Sequence, residues 1–220
     1  MIPIFDLDDT LYAERSFVES GFQAVALWLL DRFGWDANES MRVMLDALER
    51  EGRGAVFNSL LLSRRKVSIG LVNKCISVYR HHSPNITLYQ NAENFLSDFV
   101  TPIYLVTDGH KIVQKNKVRA LKIEHYFKKV FITHRYGIKH AKPSTHCFEI
   151  IRRMENCEWD NMVYVGDNPA KDFVNLTPLG VHTIRLMTGE HRNVIAKPGF
   201  EATHVISNLS ELPKLLKDLL

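Results

Sequence analysis

Two textures alternate along the chain. Short apolar runs at Ile2–Phe5, Ile103–Val106, Val130–Thr133, Met162–Val165, Val181–Leu186 and His204–Ile206 are each bounded by polar or glycine-containing sequence, as buried strands are. Amphipathic stretches of helical length, such as Asn91–Phe99, Ile112–Leu121 and Cys147–Glu155, lie between most of them. Strand and helix in alternation predict an α/β fold whose core is a Rossmann-like, doubly wound, mainly parallel sheet covered on both faces. Sites in such sheets form beyond the carboxyl ends of the strands, so the residues that follow each apolar run are the first candidates. Pro3 cannot donate a ladder hydrogen bond; the first strand is therefore predicted to become regular from Ile4.

One region breaks the alternation. Between about Glu14 and Ser83 no strand pattern occurs. Phe17–Phe33 reads as a helix. Asp36-x-x-Glu39 has the capping-box pattern, and Ser40–Glu51 continues as a helix that stops at Gly52. Arg65–Arg80 is a further helix, ended before Pro84. The chain thus divides into a core, 1–14 and 85–220, and an all-helical insert, 15–84. Asn208-x-x-Glu211 is a second start signal, before a short final helix.

Composition narrows the classes. Apolar residues make up 45% of the 220, enough for a large core without disulfides. Cys75, Cys147 and Cys157 form no C-x-x-C pair and no zinc pattern, so they read as ordinary thiols in a reducing compartment. A net charge of +3 admits small anions but lacks the dense Lys/Arg stripe of a nucleic-acid binder. The longest apolar run, Ala24 to Leu30, falls far short of the ~20 residues of a bilayer span. The acidic start of the sequence predicts no secretory signal. A soluble cytoplasmic protein is expected, with neither membrane nor nucleic acid as partner and its oligomeric state left open.

The strand tips carry the chemistry. The first run ends in Asp6-Leu7-Asp8-Asp9-Thr10. Two residues apart on extended chain, Asp6 and Asp8 point the same way, and converging carboxylates are tolerated where a cation or shared proton is present. The second run leads into Thr107-Asp108-Gly109, a hydroxyl beside a glycine turn that offers donors to an anion. After the third comes Ala141-Lys142-Pro143-Ser144, with Pro143 predicted in the first turn of the next helix. The fourth ends in Gly166-Asp167-Asn168-Pro169-Ala170-Lys171-Asp172. Each signal alone is weak, but four successive tips carrying Asp/Asp, Thr, Lys and Asp/Asp form an ordered set.

That set resembles the haloacid dehalogenase-like (HAD) hydrolase superfamily. D-x-D-x-T matches Asp6 to Thr10, the Ser/Thr motif matches Thr107, the Lys motif matches Lys142, and the acidic motif matches Gly166, Asp167 and Asp172. The resemblance spans essentially the whole chain and makes the helical insert the family's cap. It implies a phosphatase that uses Mg²⁺ held by Asp6, the Asp8 carbonyl and Asp167. Asp6 would be the nucleophile and Asp8 the general acid and base. Thr107 and Lys142 would bind phosphoryl oxygens, with Asp108 and Gly109 beside them. Asp172 would orient Lys142 or a metal-bound water. Dehalogenase members lack an aspartate at the position of Asp8, so its presence favours phosphoryl transfer. Asp108 stands where many relatives have asparagine, and would repel substrate unless turned away or hydrogen-bonded. Asp9 replaces a common glycine.

The substrate implied is a small phosphorylated metabolite, a sugar phosphate or a nucleoside monophosphate. A phosphomutase and a non-catalytic phosphometabolite-binding protein are the alternatives. Arg15 lies at the hinge and is a candidate for substrate binding. Arg53, Arg64, Arg65, Lys66, His81 and His82 are the insert's other polar candidates, while Phe22, Trp28 and Trp35 read as its core. Hinges are expected near Tyr12–Arg15 and Pro84–Tyr89. Gly189-Glu190-His191 is placed at the entrance. His134, His140 and His146, spaced six and six, fit no zinc pattern.

Overall fold

A computed structural model describes residues 1–99 and 102–219. Six strands, β1 Ile2–Phe5, β2 Tyr104–Thr107, β3 Lys129–Ile132, β4 Met162–Gly166, β5 His182–Leu186 and β6 His204–Ile206, form one sheet in the order β3-β2-β1-β4-β5-β6. Every pairing is parallel. The core is therefore the Rossmann-like α/β sheet that the alternation predicts.

β1 and β4 sit side by side at the centre, and the chain winds outward from them in opposite directions. Their carboxyl ends thus flank the topological switch point, where an open sheet leaves a crevice. Asp6 and Asp167 follow from these two strands. Pro3 is accommodated asymmetrically. The ladder with β4 runs from Ile2, with Pro3 opposite Val163, whereas the ladder with β2 starts at Ile4. The strand is regular from Ile4 on one side only.

The helices of the core are α5 Gln90–Asp98, α6 Lys111–Ala120, α7 His146–Glu155 and α8 Leu212–Asp218. Alternation along β1 sends Ile4 and Phe5 to opposite faces. Ile4 joins Phe148 and Ile151 of α7 in one buried cluster, while the Phe5 ring meets Phe95 of α5 at 5.5 Å. Both faces are covered. The capping box at Asn208 and Glu211 forms as the sequence indicates, over a short 3₁₀ turn that runs into α8. Pro143 is a correction: α7 begins only at His146, so Pro143 lies in the loop before it and not in its first turn.

Residues Met1–Glu14 and Ile86–Leu220 form one compact unit, and Arg15–Asn85 a second. The second unit contains α1 Glu14–Phe33, but for its first residue, with α2 Ala37–Glu51, α3 Val56–Ser63 and α4 Ile69–His81. It has its own core, including Phe22, Val25, Leu29, Met44, Leu60 and Cys75, with Trp28 and Trp35 packed against it. Asp36 caps α2 by accepting from the Glu39 N–H at 2.7 Å, and Ser68 caps α4. The sequence reading missed α3, which has no side-chain cap and is too short to display periodicity. Among the described residues, no helix is long and apolar enough to cross a membrane.

Candidate active site

The site is built within the sheet-containing unit from four strand tips. Asp6 directly follows β1, and its N–H continues the ladder onto the Val165 carbonyl at 2.9 Å. Its side chain is therefore carried by rigid strand into the interior, where it is 4% exposed. Lys142, in the loop after β3, reaches the same place. Its Nζ lies 2.9 Å from Asp6 Oδ1 and 2.7 Å from Asp172 Oδ1, and 2.9 Å from the Tyr164 hydroxyl. Burial alone would favour a neutral amine. The carboxylates of Asp172 and Asp6 outweigh it and hold the ammonium well above the usual lysine range.

Asp172 is fully committed. Oδ1 accepts from Lys142 and from the Tyr164 hydroxyl at 3.2 Å, and Oδ2 accepts from the Asn168 N–H at 2.9 Å. Gly166 makes this packing possible, because a Cβ there would stand 2.6 Å from Asp172 Oδ2. Asp172 thus contacts Lys142 directly. Asp167, 4% exposed, completes a carboxylate cluster: one oxygen from each of Asp6, Asp167 and Asp172 lies within 4.8 Å of the others. Burial, then the charges of Asp6 and Asp172, push Asp167 up to about 9. Burial likewise lifts Asp6 to about 6 against the pull of Lys142. Carboxylates held this close and this dry bind protons unless a cation replaces them, so the donor set fits a hard divalent ion such as Mg²⁺.

Asp8 behaves differently. Its side chain is outside that cluster and is taken by donors: Tyr12 OH to Oδ1 at 2.5 Å, Lys117 Nζ to Oδ1 at 2.7 Å, and Gln114 Nε2 to Oδ2 at 2.8 Å. Burial pushes this carboxyl up, but Lys117 and the three hydrogen bonds prevail and hold it below its ordinary value. Thr107 ends β2 fully buried, and its Oγ1 has no hydrogen-bond partner among the described residues. A dry, unpaired hydroxyl at the tip of the strand next to β1 suits an incoming oxyanion. Asp108 does not face a substrate unpaired. Its Oδ1 accepts from Thr133 Oγ1 at 2.5 Å and from the Lys142 N–H at 3.1 Å. Despite burial, those bonds and the nearby Lys171 and Lys142 keep it low. Gly109 carries the chain from there toward α6.

Asp9 has a structural use that the sequence did not reveal. It adopts φ +51°, and its carboxylate accepts from the Glu14 N–H at 2.8 Å and the Glu190 N–H at 3.2 Å. Gly189 passes so close that a Cβ would lie 2.1 Å from Asp9 Cγ. Asn168 Nδ2 meets His191 Nε2 at 2.8 Å. The Gly189–His191 loop thus contacts Asp9 and Asn168.

Arg15 is bound to Glu19 at 2.7 Å and Glu49 at 2.6 Å within the helical unit. Arg64 pairs with Glu39 at 2.7 Å, and Lys66 lies over the Phe33 ring. His140 and His146 stack at 3.9 Å between centroids, a face-to-face arrangement unlike a chelate. Tyr12, Gln114, Lys117, Tyr164 and Thr133 escaped sequence reading. Only the Gln114–Lys117 spacing, two polar residues on one face of an amphipathic helix, offered a signal.

Comparison with known proteins agrees with this geometry. The chain is 25% identical, over 98% of its length and 96% of the relative's, to a Methanocaldococcus jannaschii protein named glyceraldehyde 3-phosphate phosphatase. Its fold matches a 2-haloacid dehalogenase from Pseudomonas syringae pv. Tomato (TM-score 0.68, 19% identity, 100% of this chain and 99% of that one). It also matches a HAD phosphatase from Thermococcus onnurineus (TM-score 0.61, 22% identity, 98% and 97%). The model of the haloacid dehalogenase-like hydrolases matches residues 3–185. That span runs from β1 into β5 and includes all four acidic, hydroxyl and lysine tips, so the chain belongs to the haloacid dehalogenase-like hydrolase family.

Proposed function

We propose that this hydrolase is a Mg²⁺-dependent phosphatase of a small sugar phosphate, acting through an aspartyl-phosphate on Asp6. The observation that carries the reading is the contrast between two carboxylates on one strand tip. Asp6 is drawn into a buried cluster with Lys142 beside it, while Asp8 is held apart by three donors. Neighbouring carboxyls in opposed settings are the usual signature of divided roles.

Asp6 attacks phosphorus as the bond to the leaving oxygen breaks, and Asp8 supplies that oxygen with a proton. Water then attacks the aspartyl-phosphate, Asp8 takes its proton, and Asp6 is released. The resting site favours the carboxylate form of Asp8, the form needed for the second step. Arrival of a phosphate dianion, a like charge, raises its proton affinity for the first. Lys142 and the Thr107 hydroxyl receive the phosphoryl oxygens. Asp6, Asp167 and the Asp8 carbonyl would hold Mg²⁺, which supplies the positive charge that lets an anionic nucleophile approach an anionic ester. A departing halide needs no proton, so Asp8 favours phosphoryl transfer over dehalogenation. The names of the curated relatives direct attention to triose phosphates, and the helical unit 15–85 is taken as the cap that selects among them.

The test is phosphate release from a panel of phosphorylated metabolites, glyceraldehyde 3-phosphate included, with and without Mg²⁺. Activity should require the metal and vanish in Asp6→Asn. Asp8→Asn should lose about 10²–10⁴-fold. Substantial turnover by pure Asp6→Asn would overturn the assignment, and a strict need for a bisphosphate activator would favour a mutase.

A further inference from the structure

The donors around Asp8 come from outside the four motifs, and two share one helix. Lys117 lies well along α6 with its side chain 3% exposed, and its Nζ sits 2.7 Å from Asp8 Oδ1 and 3.7 Å from Glu14 Oε1. Gln114, one turn earlier, donates through Nε2 to Asp8 Oδ2 at 2.8 Å and to the Asp108 carbonyl at 2.6 Å. It thereby ties the first strand tip to the second. Burying an ammonium is costly unless it is paired, and this one is aimed at a carboxyl that the family chemistry uses.

The two oxygens of Asp8 are not equivalent. Oδ1 accepts from both Tyr12 and Lys117. Among the described residues, Oδ2 accepts only from a neutral amide that is shared with the Asp108 carbonyl. We propose that Lys117 and Gln114 are positioning residues that fix the orientation of the Asp8 carboxyl, with Oδ1 locked and Oδ2 presented as the oxygen that hands its proton to the leaving group. This rests on the phosphatase reading, in which Asp8 is the general acid. In that step the Asp6–phosphorus bond forms and the bond from phosphorus to the ester oxygen breaks. The electron pair stays on the departing oxygen, and the proton passes to it from Asp8 Oδ2. Neither Lys117 nor Gln114 exchanges a proton with substrate; they act through Asp8.

Leaving-group dependence separates this role from a merely structural one. Nitrophenolate departs without a proton, whereas the alkoxide of glycerol 3-phosphate does not. kcat/KM reports only the steps through formation of the aspartyl-phosphate. For Lys117→Met, kcat/KM on glycerol 3-phosphate should fall about 10- to 100-fold, a part of the ~10²–10⁴-fold that general acid catalysis provides. On p-nitrophenyl phosphate it should stay within about threefold of the parent, and Lys117→Arg should restore most of the loss. Equal losses on both substrates, or no loss on either, would overturn the proposal. If Lys117→Met does not fold, Gln114→Met, which removes the one donor to Oδ2, is compared in the same way and should show the same selectivity. A wild-type protein that hydrolyses neither ester would instead bring down the phosphatase reading, an outcome separate from failure of the selectivity in an active enzyme.

Discussion

Lys142→Met is the most informative perturbation of the buried site, because one ammonium serves two buried carboxylates. Its Nζ lies 2.7 Å from Asp172 and 2.9 Å from Asp6, with the three side chains 0–5% exposed. At an effective dielectric constant of about 20, each contact represents about 6 kcal/mol of attraction. The cost of drying the ammonium cancels much of this, and removing one partner of a buried pair typically loses about 3–5 kcal/mol. Against a usual domain stability of about 5–15 kcal/mol, such a loss is large but survivable. Urea unfolding with the metal chelated should therefore show a loss of that size, read as a lowered midpoint at unchanged slope. Lys142→Met/Asp172→Asn should recover part of it, because asparagine can still accept the Asn168 N–H through its amide oxygen and no longer leaves that charge unpaired. The cycle should reveal a coupling of about 2 kcal/mol. The pH dependence has a definite sign. Asp6 is already raised to about 6, and loss of Lys142 raises it further. The folded variant then binds a proton that the unfolded chain has released, so its stability falls as pH rises through that window. Its deficit should be smaller near about pH 5 than near about pH 8. A loss below about 1 kcal/mol, strict additivity in the cycle, or a deficit that grows on acidification would refute this account of the buried charges.

Two further expectations concern the metal and the loop beside it. Asp167 at about 9 and Asp6 at about 6 must shed protons to hold a cation, so Mg²⁺ affinity should rise as pH increases across that range. Titration calorimetry in buffers of different ionisation enthalpy should detect proton release on binding, and a flat, buffer-independent affinity would contradict it. Gly189→Ala places a methyl 2.1 Å from Asp9 Cγ at φ +60°, so it should cost about 1–3 kcal/mol, read as a lowered melting temperature. A variant as stable as its parent would show that the loop is not held against Asp9.

Much of the fold was legible because it depends on local pattern. Burial on both faces makes each strand a short apolar run, and a covering helix has to alternate with it, so all six strands could be located to within a residue at either end. Caps at Asp36 and Asn208 announced helix starts because the donors they satisfy are close in sequence. Helix α3 lacked such a cap, and its few residues could not establish a period. Asp108 looked like a hazard in sequence and is harmless in the fold, since Thr133, twenty-five residues away, bonds it.

What the linear chain determined by itself was the set of chemical groups and the strand tips that bear them. Each motif lies within a few residues of a strand end, and strand direction fixes which end of the sheet it reaches. What only tertiary structure decided was how those groups are charged and aimed. Asp6, Lys142, Asp167 and Asp172 meet because β1 and β4 are neighbours in the sheet while far apart in sequence. Asp8 is held by Gln114 and Lys117, more than a hundred positions away. Burial and long-range partners set the proton affinity of a carboxyl and the direction of its lone pairs, and neither is a property of any short stretch of chain.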